Sequence, residues 1–370
     1  VTGMQEIKIE SSSEGQRLNK FLGRYLDNAP QSFLYKMLRK KNIKYNNGKA
    51  DGSEILKAGD RIQIYMSDDT ICNFRKDGMI PQMSTSCHKF ENIDSNDGNT
   101  ARELTSPKHN PLKQIPILYE NEDVLILNKP SGILSQKAVA SDYSLNEQIV
   151  EYYKWKGGSL SLFTPSVCNR LDRNTSGIIL AGMTLKGTQM LSHVLKARTI
   201  DKYYLTIVCG TVAQATTIKG FLCKKKNHNQ VVIFRTKEEA LANGYQEAAF
   251  IETQYQPLAH GKSGKEDFTL LKVKLVTGKT HQIRAHLKSV GHPIIGDGKY
   301  GLKSVNAYIK SAFGIRHQLL HAFYIHFPED IDSVLAGKSF TAMPEKPFLQ
   351  AIYAMFDSIQ SQDDLEKKML

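Results

Sequence analysis

The feature that most limits how this chain can fold is a break. Residues 67–114 are rich in Ser, Asn, Asp and Thr and carry no sustained apolar period. Such a stretch buries too little apolar surface to offset its own ordering entropy, so it reads as a flexible linker. It separates a short, periodic front unit at 15–66 from a longer region at 115–348, where apolar runs return at regular intervals. Residues 349–370 read as a polar helical tail. A chain of 370 residues with 41% apolar side chains has material for two cores.

The front unit is locally legible. Leu18, Phe21, Leu22, Tyr25 and Leu26 recur at helical spacing. A second helix is predicted from a Ser32 cap, with Phe33, Leu34, Met37 and Leu38 facing inward. Asn47-Gly48 suits the positive backbone angles of a hairpin after a strand at Ile43. A final strand runs through Arg61–Met66. The unit holds 11 basic and 4 acidic residues, in a chain whose net charge is +12. Lys36, Arg39 and Lys40 crowd the outer face of the second helix. A polyanionic partner fits this excess, whereas a solvated basic face is what a charge run alone predicts.

Other function classes are disfavoured early. No run of about 18 apolar residues occurs, so no membrane-spanning helix is expected. The opening segment lacks the apolar heart of a secretory signal. Five cysteines, an odd number with no Cys-x-x-Cys pair, predict reduced cytoplasmic thiols instead of a disulfide framework or zinc site.

Two segments concentrate chemistry. In Arg170-Leu171-Asp172-Arg173-Asn174-Thr175-Ser176-Gly177, a carboxylate flanked by arginines sits at a turn before an apolar run. A surface salt bridge would explain it; so would an Asp kept ionised as nucleophile or base. The second segment, Thr280-His281-Gln282-Ile283-Arg284-Ala285-His286, predicts a short helix from about Thr280. His281 and His286 are five apart, which does not set them on one helical face, so no metal is expected.

Taken in order, these stretches resemble a known family. Residues 167–184 (VCNRLDRNTSGIILAGMT) resemble the catalytic signature of the RluA family of pseudouridine synthases, and 278–301 (GKTHQIRAHLKSVGHPIIGDGKYG) resemble its later signature. Residues 117–136 look like its opening strand pair and Lys-Pro-x-Gly turn, and 202–210 (KYYLTIVCG) its central strand. The front unit resembles the RNA-binding module of the ribosomal protein S-four type. Asn169 stands where many members have His, Met183 where Lys is frequent, and 219–237 replaces a more acidic stretch with six basic residues.

The resemblance implies an α+β fold: a mixed, mainly antiparallel central sheet flanked by helices, behind a small α/β RNA-binding domain. It implies isomerisation of uridine to pseudouridine in RNA without cofactor or metal. Asp172 would be the essential carboxylate, Arg284 its ion-pair partner, and Tyr204 the tyrosine against the base. Alternation leaves Tyr203 as the competing candidate. Arg170 would enter the space vacated by a flipped uridine, with Leu171 beside it; pairing with Asp172 is the alternative for Arg170. Lys36, Arg39 and Lys40 would meet RNA backbone, and Lys224, Lys225 and Lys226 read either as backbone contacts or as a solvated loop. Lys129 would only shape a turn. The expected enzyme is a cytoplasmic monomer acting on large-subunit (23S) ribosomal RNA. Transfer RNA stays open as substrate, as do a noncatalytic RNA-binding assembly factor and a hydrolase as functions.

Overall fold

The computed structural model describes residues 4–10, 13–75, 109–160, 163–225 and 230–370. The front unit is a three-stranded antiparallel sheet, β1 (Met4–Lys8), β3 (Arg61–Tyr65) and β2 (Ile43–Tyr45), with β3 in the middle. Helices α1 (Leu18–Tyr25) and α2 (Gln31–Arg39) cover it. The periodic residues Leu18, Phe21, Leu22, Tyr25, Leu26, Leu34, Met37 and Leu38 are all buried in one core with Ile43, Ile62 and Ile64.

Four local expectations need correction. First, β1 lies ahead of residue 15 and pairs with β3 from Met4↔Tyr65 to Lys8↔Arg61. Second, α2 starts at Gln31 behind Pro30, which fixes the entry torsion, and Ser32 makes no cap. Third, the tight turn centres on Asn46 (φ 49°) and Asn47 (φ 64°), not on Gly48. Asn46 is held there because its side chain donates to Asp60 Oδ1 (2.9 Å) and accepts from the Arg61 N–H (2.8 Å). Fourth, 67–75 is ordered: α3 (Asp68–Asn73) is capped by Ser67, buries Ile71 in the front core, and sets Phe74 on Phe33 at 4.4 Å between rings. The rest of the expected linker, apart from 109–114, lies outside the described residues.

The large region is built on one mixed sheet, in the order β10-β9-β11-β12-β8-β13-β7-β5-β4. In chain order its elements are β4 (Ile117–Glu120), β5 (Val124–Lys129), α4 (Leu145–Trp155), β6 (Ser166–Val167), β7 (Ser176–Gly182), α5 (Leu185–Ala197) and β8 (Asp201–Cys209). Next come β9 (Thr216–Lys224), β10 (Val231–Phe234), α6 (Lys237–Ala242), β11 (Ala249–Ser263), β12 (Glu266–Leu275) and α7 (Gln282–Ser289). The chain ends with α8 (Lys303–Phe313), β13 (Leu320–His326), β14 (Ser339–Thr341), α9 (Lys346–Met355) and α10 (Gln362–Met369). Among the described strands only β13 and β7 pair in parallel. Where they meet, a Cβ on Gly177 (φ 110°) would lie 2.3 Å from the Ala322 carbonyl oxygen, so only glycine fits there.

Strand alternation divides the core into two layers. On β8, Tyr204 and Val208 join a cluster with Ile149 of α4, Leu191 of α5 and Ile283 of α7. Leu205, Ile207 and Cys209 point the other way, to a cluster with Ile309 of α8, Ile352 of α9 and Leu365 of α10. The expected polar tail is therefore corrected. Leu349, Ala351, Ile352, Met355, Phe356, Ile359, Leu365 and Met369 are buried and close the second layer. Their polar neighbours lowered the average of the segment and hid an amphipathic stripe.

No described helix is long and apolar enough to cross a membrane. The four cysteines among the described residues are free thiols.

Candidate active site

The site is built where the loop leading into β7 meets the N-terminus of α7. Asn169 starts the loop by imitating backbone: its Oδ1 accepts the Leu180 N–H at 2.7 Å. Ser135 then clamps Leu171 twice, its hydroxyl donating to the Leu171 carbonyl (2.8 Å) and accepting the Leu171 N–H (3.0 Å). The Thr175 N–H closes a turn onto the Asp172 carbonyl at 3.0 Å. Asp172 stands at the top of that turn, its side chain 24% exposed.

Lys129 does more than shape a turn. Fully buried, it donates to the carbonyls of Pro130 (2.8 Å), Ile133 (2.9 Å) and Arg173 (3.2 Å), tying its own loop to the Asp172 loop. Burial lowers its ammonium to about 8, against the opposing pull of Glu345 and Asp172. Lys129→Met is therefore expected to cost about 1–3 kcal/mol in urea unfolding, because three partly buried carbonyls lose a charged donor. Wild-type stability in that variant would show the tie to be dispensable.

Arg284 comes from the first turn of α7 and serves two carboxylates. Its Nη1 donates to Asp172 Oδ2 at 2.7 Å. Its Nε and Nη2 grip Asp297 as a fork at 2.7 and 2.9 Å. Burial works against its charge, but Asp297 and Asp172 together hold the guanidinium firmly protonated. Asp297 has no exposed surface. Burial would raise its carboxyl, yet Arg284 and the N–H groups of Lys299 and Tyr300 hold it below the ordinary value. Asp297 was passed over in sequence because an Asp after Gly in a Gly-Pro loop reads as turn chemistry. The apolar Ile294-Ile295 just before it was the available signal for burial.

Tyr204 faces this layer from β8, and burial together with the Asp172 charge raises its phenol well above the usual value. Tyr203 faces the opposite layer, against Tyr324 at 5.9 Å and under the Lys272 ammonium. Two open grooves of about 330 and 540 Å³ lie there, both lined by Tyr203 and Lys272, and Asp172 lines neither. Leu171 is buried in the first core layer. Arg170 is exposed and makes no ion pair with Asp172 among the described residues, while Arg173 lies 3.9 Å from Asp142. Lys36 and Arg39 on α2 and Lys40 directly after it are exposed in the chain's front unit, and none of them contacts this constellation among the described residues. Lys224, at the end of β9, and Lys225 after it are exposed; Lys226 lies outside the described residues.

The three histidines of residues 278–301 each meet a different partner. His281 meets Tyr300, His286 Nδ1 lies 3.0 Å from the Thr253 hydroxyl, and His292 Nδ1 lies 3.1 Å from the Cys209 carbonyl. The arrangement offers one carboxylate with an oxygen fixed by a buried cation, a phenol nearby and apolar walls. It suits a reaction that must exclude water while charge develops on a ring or sugar.

Comparison with known proteins identifies relatives over most of the chain. Residues 123–289 match the RNA pseudouridylate synthase family. The chain is 30% identical over 330 residues to ribosomal large subunit pseudouridine synthase C of Pasteurella multocida, covering 87% of this chain and 86% of that one. A protein of the same name from Buchnera aphidicola is 29% identical, covering 88% and 90%. Human RNA pseudouridylate synthase domain containing 1 shares the fold, with TM-score 0.51 at 24% identity over 69% of this chain and 94% of that one.

Proposed function

The chain belongs to the RNA pseudouridylate synthase family, and on that premise we propose that Asp172 carries out uridine isomerisation in large-subunit ribosomal RNA. The relatives named above supply the substrate class. The observation that carries the reading is the Asp172–Arg284–Asp297 relay. It keeps a carboxylate oriented, and Tyr204 is buried on the same side of the sheet. The reaction breaks the C1′–N1 bond, turns the uracil, joins C1′ to C5, releases the C5 proton to solvent and returns one proton from solvent to N1. Atoms balance without an electron donor or acceptor.

Each remaining residue then has work. The uridine leaves its stack at a cost of a few kcal/mol, and Arg170, exposed beside Asp172, fills the gap. Tyr204 supports the base, and Leu171 packs beneath the loop. The front unit acts as an S-four-type RNA-binding module, with Lys36, Arg39 and Lys40 along one face of α2 releasing counterions from a phosphate backbone. A monomer working on RNA in the cytoplasm is part of the same proposal.

The test is release of tritium from C5-labelled uridine. Large-subunit ribosomal RNA is expected to release label, and a transfer RNA pool is expected to release none. Label from transfer RNA alone would move the substrate. Free uracil would indicate a hydrolase, and binding without release would indicate a noncatalytic factor.

A further inference from the structure

We propose that His281 is a positioning residue for Asp172: its ring stands against the carboxylate oxygen that Arg284 binds, and so reserves the other oxygen for chemistry. The inference rests on Asp172 being the reactive carboxylate.

Three independent features of the backbone and side chain converge. His281 precedes α7 with φ 54° and ψ 16°, a left-handed conformation uncommon for residues other than glycine. Such outliers persist where surrounding structure holds them, and they concentrate at functional sites. The residue is 8% exposed, and its Nε2 lies 3.8 Å from Asp172 Oδ2. Its Nδ1 is 3.0 Å from the Tyr300 hydroxyl, which itself accepts the Val231 N–H at 2.9 Å. The ring is thus held at Nδ1, with Nε2 facing the carboxylate, and it meets the Tyr300 ring edge-on at 5.7 Å.

The contacts to Asp172 are one-sided. Arg284 and His281 both address Oδ2, whereas Oδ1 has no hydrogen bond among the described residues. Oδ1 is the oxygen left to act as nucleophile or base. A neutral ring suits this task, since a second cation on Oδ2 would compete with Arg284 and quench the carboxylate. The groups around the ring are Asp172, Arg284, Asp297, Lys299 and Tyr300. Burial lowers the imidazole below its usual value, with Arg284 and Lys299 adding to the effect and Asp172 and Asp297 opposing it.

His281→Asn tests the ring while sparing the backbone, because Asn tolerates left-handed torsions. We expect kcat to fall about 10- to 100-fold with KM changed less than about threefold, the signature of a misplaced reactive group. The wild-type rate should decline as the pH falls below about 6.5, the ordinary imidazole value, and the lowered imidazole protonates, and the variant should be flatter there. Tyr300→Phe, which frees one end of the ring, should reproduce the kcat loss in part. Normal kcat and an unchanged pH profile in both variants would overturn the proposal.

A readout independent of activity separates this from failure of the proposed function. The His281 ring, followed by nuclear magnetic resonance, should titrate at lower pH in Asp172→Asn than in wild type, because a favourable negative charge is gone. An unmoved titration would remove the coupling whatever reaction the protein performs. Absent tritium release with a shifted titration would instead count against the substrate reaction alone.

Discussion

Asp172→Asn should lower tritium release by about 10⁴-fold or more, the scale seen when an enzyme loses a group that acts on the substrate directly. The fold should scarcely notice. The amide has the shape of the carboxylate, and Arg284 keeps its two-bond fork on Asp297, so no buried cation is stranded. Asp172 is itself partly exposed, which limits the worth of its ion pair to about 1 kcal/mol. Rate and stability are thereby separated: catalysis should vanish while the urea midpoint stays near that of wild type. Comparable activity in the variant would show that another group does the chemistry, and a collapse of stability would show that Asp172 is a structural ion-pair partner.

The same contrast explains what could be read from sequence. Asp172 and Arg284 were recognisable because their neighbours are unusual in type and order, and the structure brings them to 2.7 Å across a separation of 112 residues. Tyr203 and Tyr204 could not be told apart by alternation. That pattern gives opposite faces but not which face holds the site; only the layers on either side of β8 do that. The C-terminal helices were misread since polar residues outweigh a stripe that includes Ile352, Phe356 and Leu365 in any average. Strand β1 was missed because five residues, MQEIK, alternate too briefly to rise above their polar surroundings. Its partner β3 lies over fifty residues away, and pairing at such distance leaves no local trace. The buried state of Asp297 left only the faint signal of Ile294-Ile295 before it. Carboxylates are nearly always outside, and the exception depends on a fork from Arg284 that sequence alone does not display.

Asp297 supplies the largest expected effect on stability. Asp297→Ala should lower unfolding free energy by about 3–5 kcal/mol, because Arg284 is 5% exposed and would keep only one hydrogen bond to a carboxylate. Asp297→Asn should fall close behind, since one amide face turns donors toward the guanidinium. The pH dependence has a definite sign. Asp297 sits below its unfolded value, near 3.9, so its contribution is complete above about pH 4 and is lost as pH falls through the lowered folded value. Wild type should therefore lose stability more steeply than Asp297→Asn in that acid range. Equal stability of both proteins at neutral pH would refute the buried pair as an element of the fold. Replacing both partners, in Arg284→Met with Asp297→Leu, removes two buried charges together and should restore much of the lost stability, as apolar substitution of such pairs often does. Activity should not return with it, because Asp172 Oδ2 would still lack its cation. A double variant that is stable and inactive would mean that this charge pair is retained to orient Asp172, with its contribution to folding being replaceable.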